Sequence, residues 1–431
     1  MPSSTPTTRN RTGPAALAVF VVSLGIIAFA RPRTGFVAPF APEPGVTLDR
    51  PTGALLGALG MVLCGVVGPR EALERGVNYD TLLLLFGMMV VCAYMVEARL
   101  FRFTSYLVLT HVQSARRLLV AVTMVSGLLS AVLVNDTVCL MTTPLVVQCC
   151  RDARLPPLPF LLAVAFGANA GSVATPTGNP QNMIVGNLSG IGFGEFMALA
   201  GPPALVGLAI NTGLLWLYYR RRLPTGPLAP GPVVARAHDP WVLPVLALVA
   251  LGFLAGLHLG YTALAGALVF VVRDRRAPDT ALAQVDWGLL AFFCGLFIVV
   301  RGLANTGIVG LLWASAAPSQ LGSPGELAAF TGLLAVGSNL VSNVPMVLLA
   351  GPELAAYADP RMAWVALALA TTVAGNFTLL GSVANLIVAE QAAPQHELGF
   401  FEYLRFGVVS TLLVLPAVIA VLWCELRLFP G

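Results

Sequence analysis

Hydrophobic residues in this chain come in long runs, such as residues 161–173 and 408–423, separated by short breaks rich in polar residues, glycine and proline. A helix needs ~20 residues to cross a bilayer, and several runs approach that length. In the first half they fall at residues 14–30, 51–67, 81–96, 158–188 with a break inside, and 196–219. In the second half they fall at 241–257, 261–272, 287–303, 362–388 with a break, and 403–426. Between the third and fourth segments of each half lies an apolar region split by a polar tip: 118–147 around Asn135, and 328–354 around Asn343. Each arm is too short or too broken for two full crossings, which predicts re-entrant helical hairpins. The expected fold class is an all-α integral membrane protein with about ten transmembrane helices and two such hairpins.

The breaks occur once per half, in register. Adding 208 to Asn135 gives Asn343, and adding 203 to Gly178 and Asn182 gives Gly381 and Asn385. Adding 207 to Gly192-Phe193-Gly194-Glu195-Phe196 gives Gly399-Phe400-Phe401-Glu402-Tyr403. Five crossings per half is an odd number, so the second copy enters the membrane inverted. The domain organisation expected is a first membrane repeat at 1–222, a cytoplasmic linker at 223–240 and a second, inverted repeat at 241–431. Residues 14–30 read as the first membrane helix, since a cleaved leader has a shorter apolar core and a small-residue cleavage site.

Only 10% of residues are charged while 57% are hydrophobic, which places the chain among multi-pass proteins of the cell membrane. A net charge of +4 does not suggest nucleic acid, and all 24 basic residues are Arg. With the N-terminus outside, inside loops hold Arg31, Arg33, Arg50, Arg99, Arg102, Arg116, Arg117, Arg151, Arg154, Arg220, Arg221, Arg222, Arg236, Arg273, Arg275, Arg276 and Arg405. Outside lie Arg9, Arg11, Arg70, Arg75, Arg361 and Arg427, while Arg301 sits within a helix. That asymmetry supports both termini outside. It also has the first hairpin enter from the cytoplasm and the second from the opposite side, with residues 99–112 along the cytoplasmic interface. The seven cysteines lack the spacing of a zinc site or disulfide framework and read as buried small hydrophobes.

A broken helix at membrane depth exposes backbone groups that lipid cannot satisfy, so such breaks persist where protein, water or ligand supplies partners. Helix N-termini there attract anions, and carbonyl and side-chain oxygens attract cations. Expected substrate- and ion-binding residues in the first half are Asn135, Asp136, Thr137, Thr177, Gly178, Asn179, Pro180 and Asn182. In the second they are Ser342, Asn343, Thr378, Gly381, Ser382 and Asn385. Gly178 permits close approach of a ligand, and Pro176 and Pro180 prevent helical hydrogen bonding. The second break lacks proline, which predicts a gentler interruption. Asp136 stands out, because an intramembrane carboxylate is costly; it reads as a sodium ligand or proton carrier, and also as a helix cap. Asp80 and Asp286 read as interfacial caps, Glu195 and Glu402 as acids beside interfacial anchors. Arg301 is open between attracting an anion, snorkelling, and pairing with Glu97 or another acid. The four histidines are dispersed and there is no Walker loop, so no enzyme is expected and energy must come from an ion gradient or a partner ATPase.

Asn135-Asp136-Thr137 with Thr142-Thr143-Pro144, Gly178-Asn179-Pro180-Gln181-Asn182, Ser342-Asn343-Val344-Pro345 and Gly375-Asn376-Phe377-Thr378-Leu379-Leu380-Gly381-Ser382-Val383-Ala384-Asn385 resemble four motifs of one superfamily. It is the ion-transporter superfamily that includes divalent-anion/sodium symporters, citrate transporters, arsenite permeases and one type of sodium/proton antiporter. The resemblance covers nearly the whole chain. It implies a homodimer with a scaffold and a moving transport region, an elevator motion, and substrate and cations held at hairpin tips and broken-helix loops. Sodium is then expected at Asn135, Asp136 and Gly178, and at Asn343 and Gly381, with sodium or protons as coupling ion and no other cofactor. Dicarboxylate members carry Ser-Asn-Thr at both tips. Val134-Asn135-Asp136-Thr137 and Ser342-Asn343-Val344 depart from this, toward the arsenite-permease and antiporter branch. The function expected is secondary transport of an anion or small oxyacid, carboxylate-, citrate- or arsenite-like. The alternatives are a sodium/proton antiporter, or an arsenite efflux subunit working with a soluble ATPase.

Overall fold

The computed structural model describes residues 6–29, 49–228, 239–274, 279–393 and 395–428. It is 80% helical and contains no strand among the described residues. The first half contributes α1 (Pro6–Phe29), α2 (Arg50–Leu63), a single turn α3 (Pro69–Glu71), α4 (Tyr79–Glu97), α5 (Leu100–His111), α6 (Ala115–Val132), α7 (Asn135–Asp152), α8 (Leu158–Ser172), α9 (Pro180–Leu188) and α10 (Phe193–Tyr219). The second contributes α11 (Val242–Leu254), α12 (Leu259–Asp274), a turn α13 (Asp279–Leu282), α14 (Trp287–Asn305), α15 (Ile308–Ala316), α16 (Pro324–Val341), α17 (Asn343–Ala350), α18 (Pro360–Ala374), α19 (Val383–Ala392) and α20 (Phe400–Leu428).

Five helices, α4, α6, α10, α14 and α20, are long and apolar enough to cross a membrane unaided. At 1.5 Å per residue, the 15-residue helices α8 and α18 reach only ~22 Å, and so end inside a hydrocarbon core of ~30 Å. Both expected breaks are therefore present, at residues 173–179 and 375–382. The second is not gentler than the first. It lacks proline, yet a 3₁₀ turn at Leu379–Gly381 interrupts the helical ladder just as fully. The arms α6 and α7 are each 18 residues long, more continuous than the sequence led us to expect. Helix α12 is longer than residues 261–272, and α2 stops at Leu63, short of residue 67.

Charges near the helix ends correct several single-residue readings. Asp286 caps α14 by accepting from the Leu289 N–H at 2.9 Å, as expected. Asp80 does not cap α4; Asn78 does, accepting from Thr81 N–H at 2.9 Å, while Asp80 faces His258 at 3.3 Å. Arg301 pairs with Glu71 at 3.4 Å rather than with Glu97. Glu195 pairs with Arg361 at 3.2 Å and Glu402 with His396 at 3.5 Å. Arg50 is no loop residue, since it opens α2. Arg31, Arg33, Arg236, Arg275, Arg276 and most of the linker lie outside the described residues.

Packing between helices is reciprocal between the halves. Helix α4 packs on α12, and its counterpart α14 on α2; α7 packs on α19, and α17 on α9. Within halves, α1 on α2 is matched by α11 on α12, and α6 on α8 by α16 on α18, while α10 meets α20. Two groups result: α1, α2, α4, α11, α12 and α14 on one side, α6–α10 and α16–α20 on the other. Between helices in lipid, close contact depends on small residues. A Cβ added to Gly171 of α8 would strike the Gly127 carbonyl of α6. We expect Gly171→Val to cost at least ~1–3 kcal/mol through overpacking. The checking measurement is the melting temperature of purified protein, with Gly213→Ala, where a new Cβ meets nothing within 4 Å, remaining near the parent value.

Candidate functional site

The breaks are held open by side-chain amides that take the place of water. The Asn182 amide nitrogen donates to the carbonyls of Ser172, Val173 and Thr175 at 3.3, 3.2 and 3.0 Å. The Asn385 amide nitrogen donates to the carbonyls of Gly375 and Thr378 at 2.8 and 3.2 Å. Adding 203 to Ser172, Thr175 and Asn182 gives Gly375, Thr378 and Asn385, so the two halves use the same construction. The glycines repeat it too: a Cβ on Gly178 would strike the Ser172 carbonyl, and one on Gly381 would lie 2.8 Å from the Gly375 carbonyl. Asn179 caps α9, accepting from the Asn182 N–H at 2.8 Å and donating to Ser172 Oγ at 2.9 Å.

Each hairpin tip docks on the break of its own half. The Asn135 backbone N–H donates to the Gly178 carbonyl at 2.8 Å, and Thr175 Oγ1 donates to the Ala131 carbonyl at 2.8 Å. At the second tip the Asn343 amide, oriented as its hydrogen-bond partners require, directs its nitrogen to Ser338 Oγ at 2.6 Å and to the carbonyls of Thr371 and Gly381 at 3.1 and 3.2 Å. Ser342, which joins α16 to α17, has φ 76° and ψ 160°. That region is essentially reserved for glycine, and a serine held there stores about 1–3 kcal/mol of strain.

Asn169 ties the halves together. Its amide nitrogen donates to Asn376 Oδ1 at 2.8 Å and Asn385 Oδ1 at 2.9 Å, while its oxygen accepts from Asn135 Nδ2 at 3.2 Å and Ser382 Oγ at 3.3 Å. Sequence reasoning passed over Asn169. The signal was a lone amide within the apolar run, flanked by Ala168 and Ala170.

Around this cluster lies a cavity of about 180 Å³. Of the expected residues, Asn135, Asp136, Pro180, Ser342, Asn343, Gly381 and Ser382 line it. Thr177, Gly178, Asn179, Asn182, Thr378 and Asn385 build the breaks behind it. Thr137 turns away, its hydroxyl meeting the buried Cys92 thiol of α4. Arg50, Gln181, Ser338, Asn339, Phe292 and Phe293 also line the cavity, beside further aliphatic side chains, and were missed as site residues. Asn135 Oδ1 and Asp136 Oδ2 are buried and have no hydrogen-bond donor. Two such oxygens suit a cation or a substrate hydroxyl, and so fit the first expected sodium position. The second fits less well, because the Asn343 amide nitrogen already occupies the Gly381 carbonyl.

Residues 26–374 match the CitMHS family, described as citrate transporter. The chain belongs to this family. It is a multi-pass membrane transporter of the ion-transporter superfamily and not an enzyme. Among relatives of this CitMHS protein, a putative transporter arsB of Dictyostelium discoideum is 29% identical, over 92% of this chain and 90% of that protein. The silicon efflux transporter LSI3 of Oryza sativa subsp. japonica is 33% identical, over 91% and 96%. The fold resembles the solved YdaH transporter of Alcanivorax borkumensis, with TM-score 0.56 and 16% identity over 98% of this chain and 99% of that one. It also resembles MtrF of Neisseria gonorrhoeae, with TM-score 0.57 and 12% identity over 96% of each chain.

Removing either amide that serves a break leaves buried carbonyls unsatisfied, at ~1–3 kcal/mol. We therefore expect Asn182→Ala and Asn385→Ala each to lower the melting temperature and to abolish transport, while Thr177→Ser changes neither by much.

Proposed function

We propose that this CitMHS protein is a secondary active transporter that moves a small oxyacid across the cell membrane, coupled to sodium or protons through Asp136. The observation that carries the reading is the pair of donorless oxygens, Asn135 Oδ1 and Asp136 Oδ2, at the wall of a largely apolar cavity between two hairpin tips. An ion or proton there neutralises a carboxylate that is otherwise costly at this depth.

The charges around the cavity narrow the substrate. Asp136 is within electrostatic reach of Asp286 and Arg50, and Arg50 also of Glu390. Among the described residues, three carboxylates against one guanidinium disfavour a multiply charged anion such as citrate. A weak oxyacid carried uncharged or with a single charge better suits a largely apolar wall bearing a few amides and hydroxyls, in keeping with relatives named for silicon efflux and arsB. The membrane arrangement we infer is ten crossings with α6/α7 and α16/α17 as re-entrant hairpins in two inverted halves, which the reciprocal packing supports. An elevator-type displacement of α6–α10 and α16–α20 against the other group, within a homodimer, belongs to the same reading. The alternative is a sodium/proton antiporter without organic substrate, favoured by the donorless oxygen of Asp136 alone.

Proteoliposomes with imposed sodium and proton gradients separate these readings. The expected outcome is gradient-driven flux of silicic or arsenious acid, with Asp136→Asn retaining binding but losing accumulation by tenfold or more. Sodium-driven proton flux without any oxyacid movement would establish the antiporter instead.

A further inference from the structure

Arg50 is the one guanidinium on the cavity wall among the described residues, and it is carried there by a rigid helix end. Asp49 caps α2 by accepting from the Thr52 N–H at 2.9 Å, which fixes the direction in which Arg50 leaves the helix. Helix α2 packs on α1 and α14, whereas Asp136 stands on α7 and Glu390 on α19, which pack against each other. The guanidinium and the Asp136 carboxylate thus belong to different helix groups and line one cavity. Among the described residues the other charged groups nearby are Asp49, the cap of α2, Asp286, the cap of α14, within electrostatic reach of Asp136, and Glu390, within electrostatic reach of Arg50.

We propose that Arg50 is a built-in counter-charge that competes with the coupling cation for Asp136. A carboxylate and a guanidinium at this depth each need an opposite charge, and two cations beside one carboxylate repel. When the cation leaves, Arg50 balances Asp136 across the seam between the helix groups. When the cation binds, Arg50 is balanced by Glu390, and the seam loses an attraction that holds the groups together. The proposal rests on the coupling role given to Asp136, and it concerns cation binding alone, whichever oxyacid is carried.

Cation binding by the purified full chain, without substrate, tests it. The readout is the melting temperature titrated with sodium chloride at constant ionic strength made up with choline chloride. Arg50→Gln is expected to lower the sodium concentration for half-maximal stabilisation by roughly tenfold, the size of the interaction between unit charges about 12 Å apart at an effective dielectric constant near 20. Arg50→Lys keeps the charge and should stay within about threefold of the parent. Glu390→Gln should move the midpoint the opposite way, which keeps the test decisive if Arg50→Gln does not fold. In an Asp136→Asn background the Arg50→Gln shift should vanish. An unchanged or weakened cation dependence in Arg50→Gln, or none in the parent protein, overturns the proposal. Cation dependence of the expected form without oxyacid flux in liposomes would sink the substrate assignment and leave this role standing.

Discussion

Helix ends inside a membrane leave carbonyls that neither lipid nor bulk water can satisfy, and this structure is organised around meeting that demand at two places. Asn182 and Asn385 serve the carbonyls of the two breaks, and Asn169 joins the first tip to the second break. Once these amides are committed, the tips have fixed seats on the breaks. The oxygens left over, on Asn135 and Asp136, are then presented to the cavity as a consequence of how the backbone is supported.

Likeness of construction and difference of chemistry coexist in the two halves. Both breaks use an asparagine, a tightly packed glycine and a docked tip at matching offsets. Only the first tip carries a carboxylate. At the second, Ser342 is held in a backbone conformation suited to glycine, and Asn343 fills the Gly381 carbonyl with its own amide. The carboxylate on the cavity wall thus belongs to the first half, while the second half supplies a strained serine and hydrogen-bond donors. Reciprocal packing of α4 with α12 and of α14 with α2 assembles one helix group from both halves, and Arg50 and Asp136 line one cavity where that group faces the other.

The sequence by itself determined the helical membrane architecture, the two breaks and the identity of most residues at the tips. Those features follow from hydrophobic run length and from residues whose backbone preferences act locally, such as Pro180 and Gly178. Local pattern also misjudged some details, reading a gentler second break where a 3₁₀ turn interrupts the ladder without proline, and first-hairpin arms less continuous than the 18-residue α6 and α7. What only the tertiary structure decided is which polar groups face the cavity and which face each other. Asn169 draws no reading from the sequence, Thr137 reads as a ligand and Arg50 as a loop charge. Each was settled by contacts between helices far apart in sequence, where side-chain direction and charge balance depend on elements that no single segment encodes.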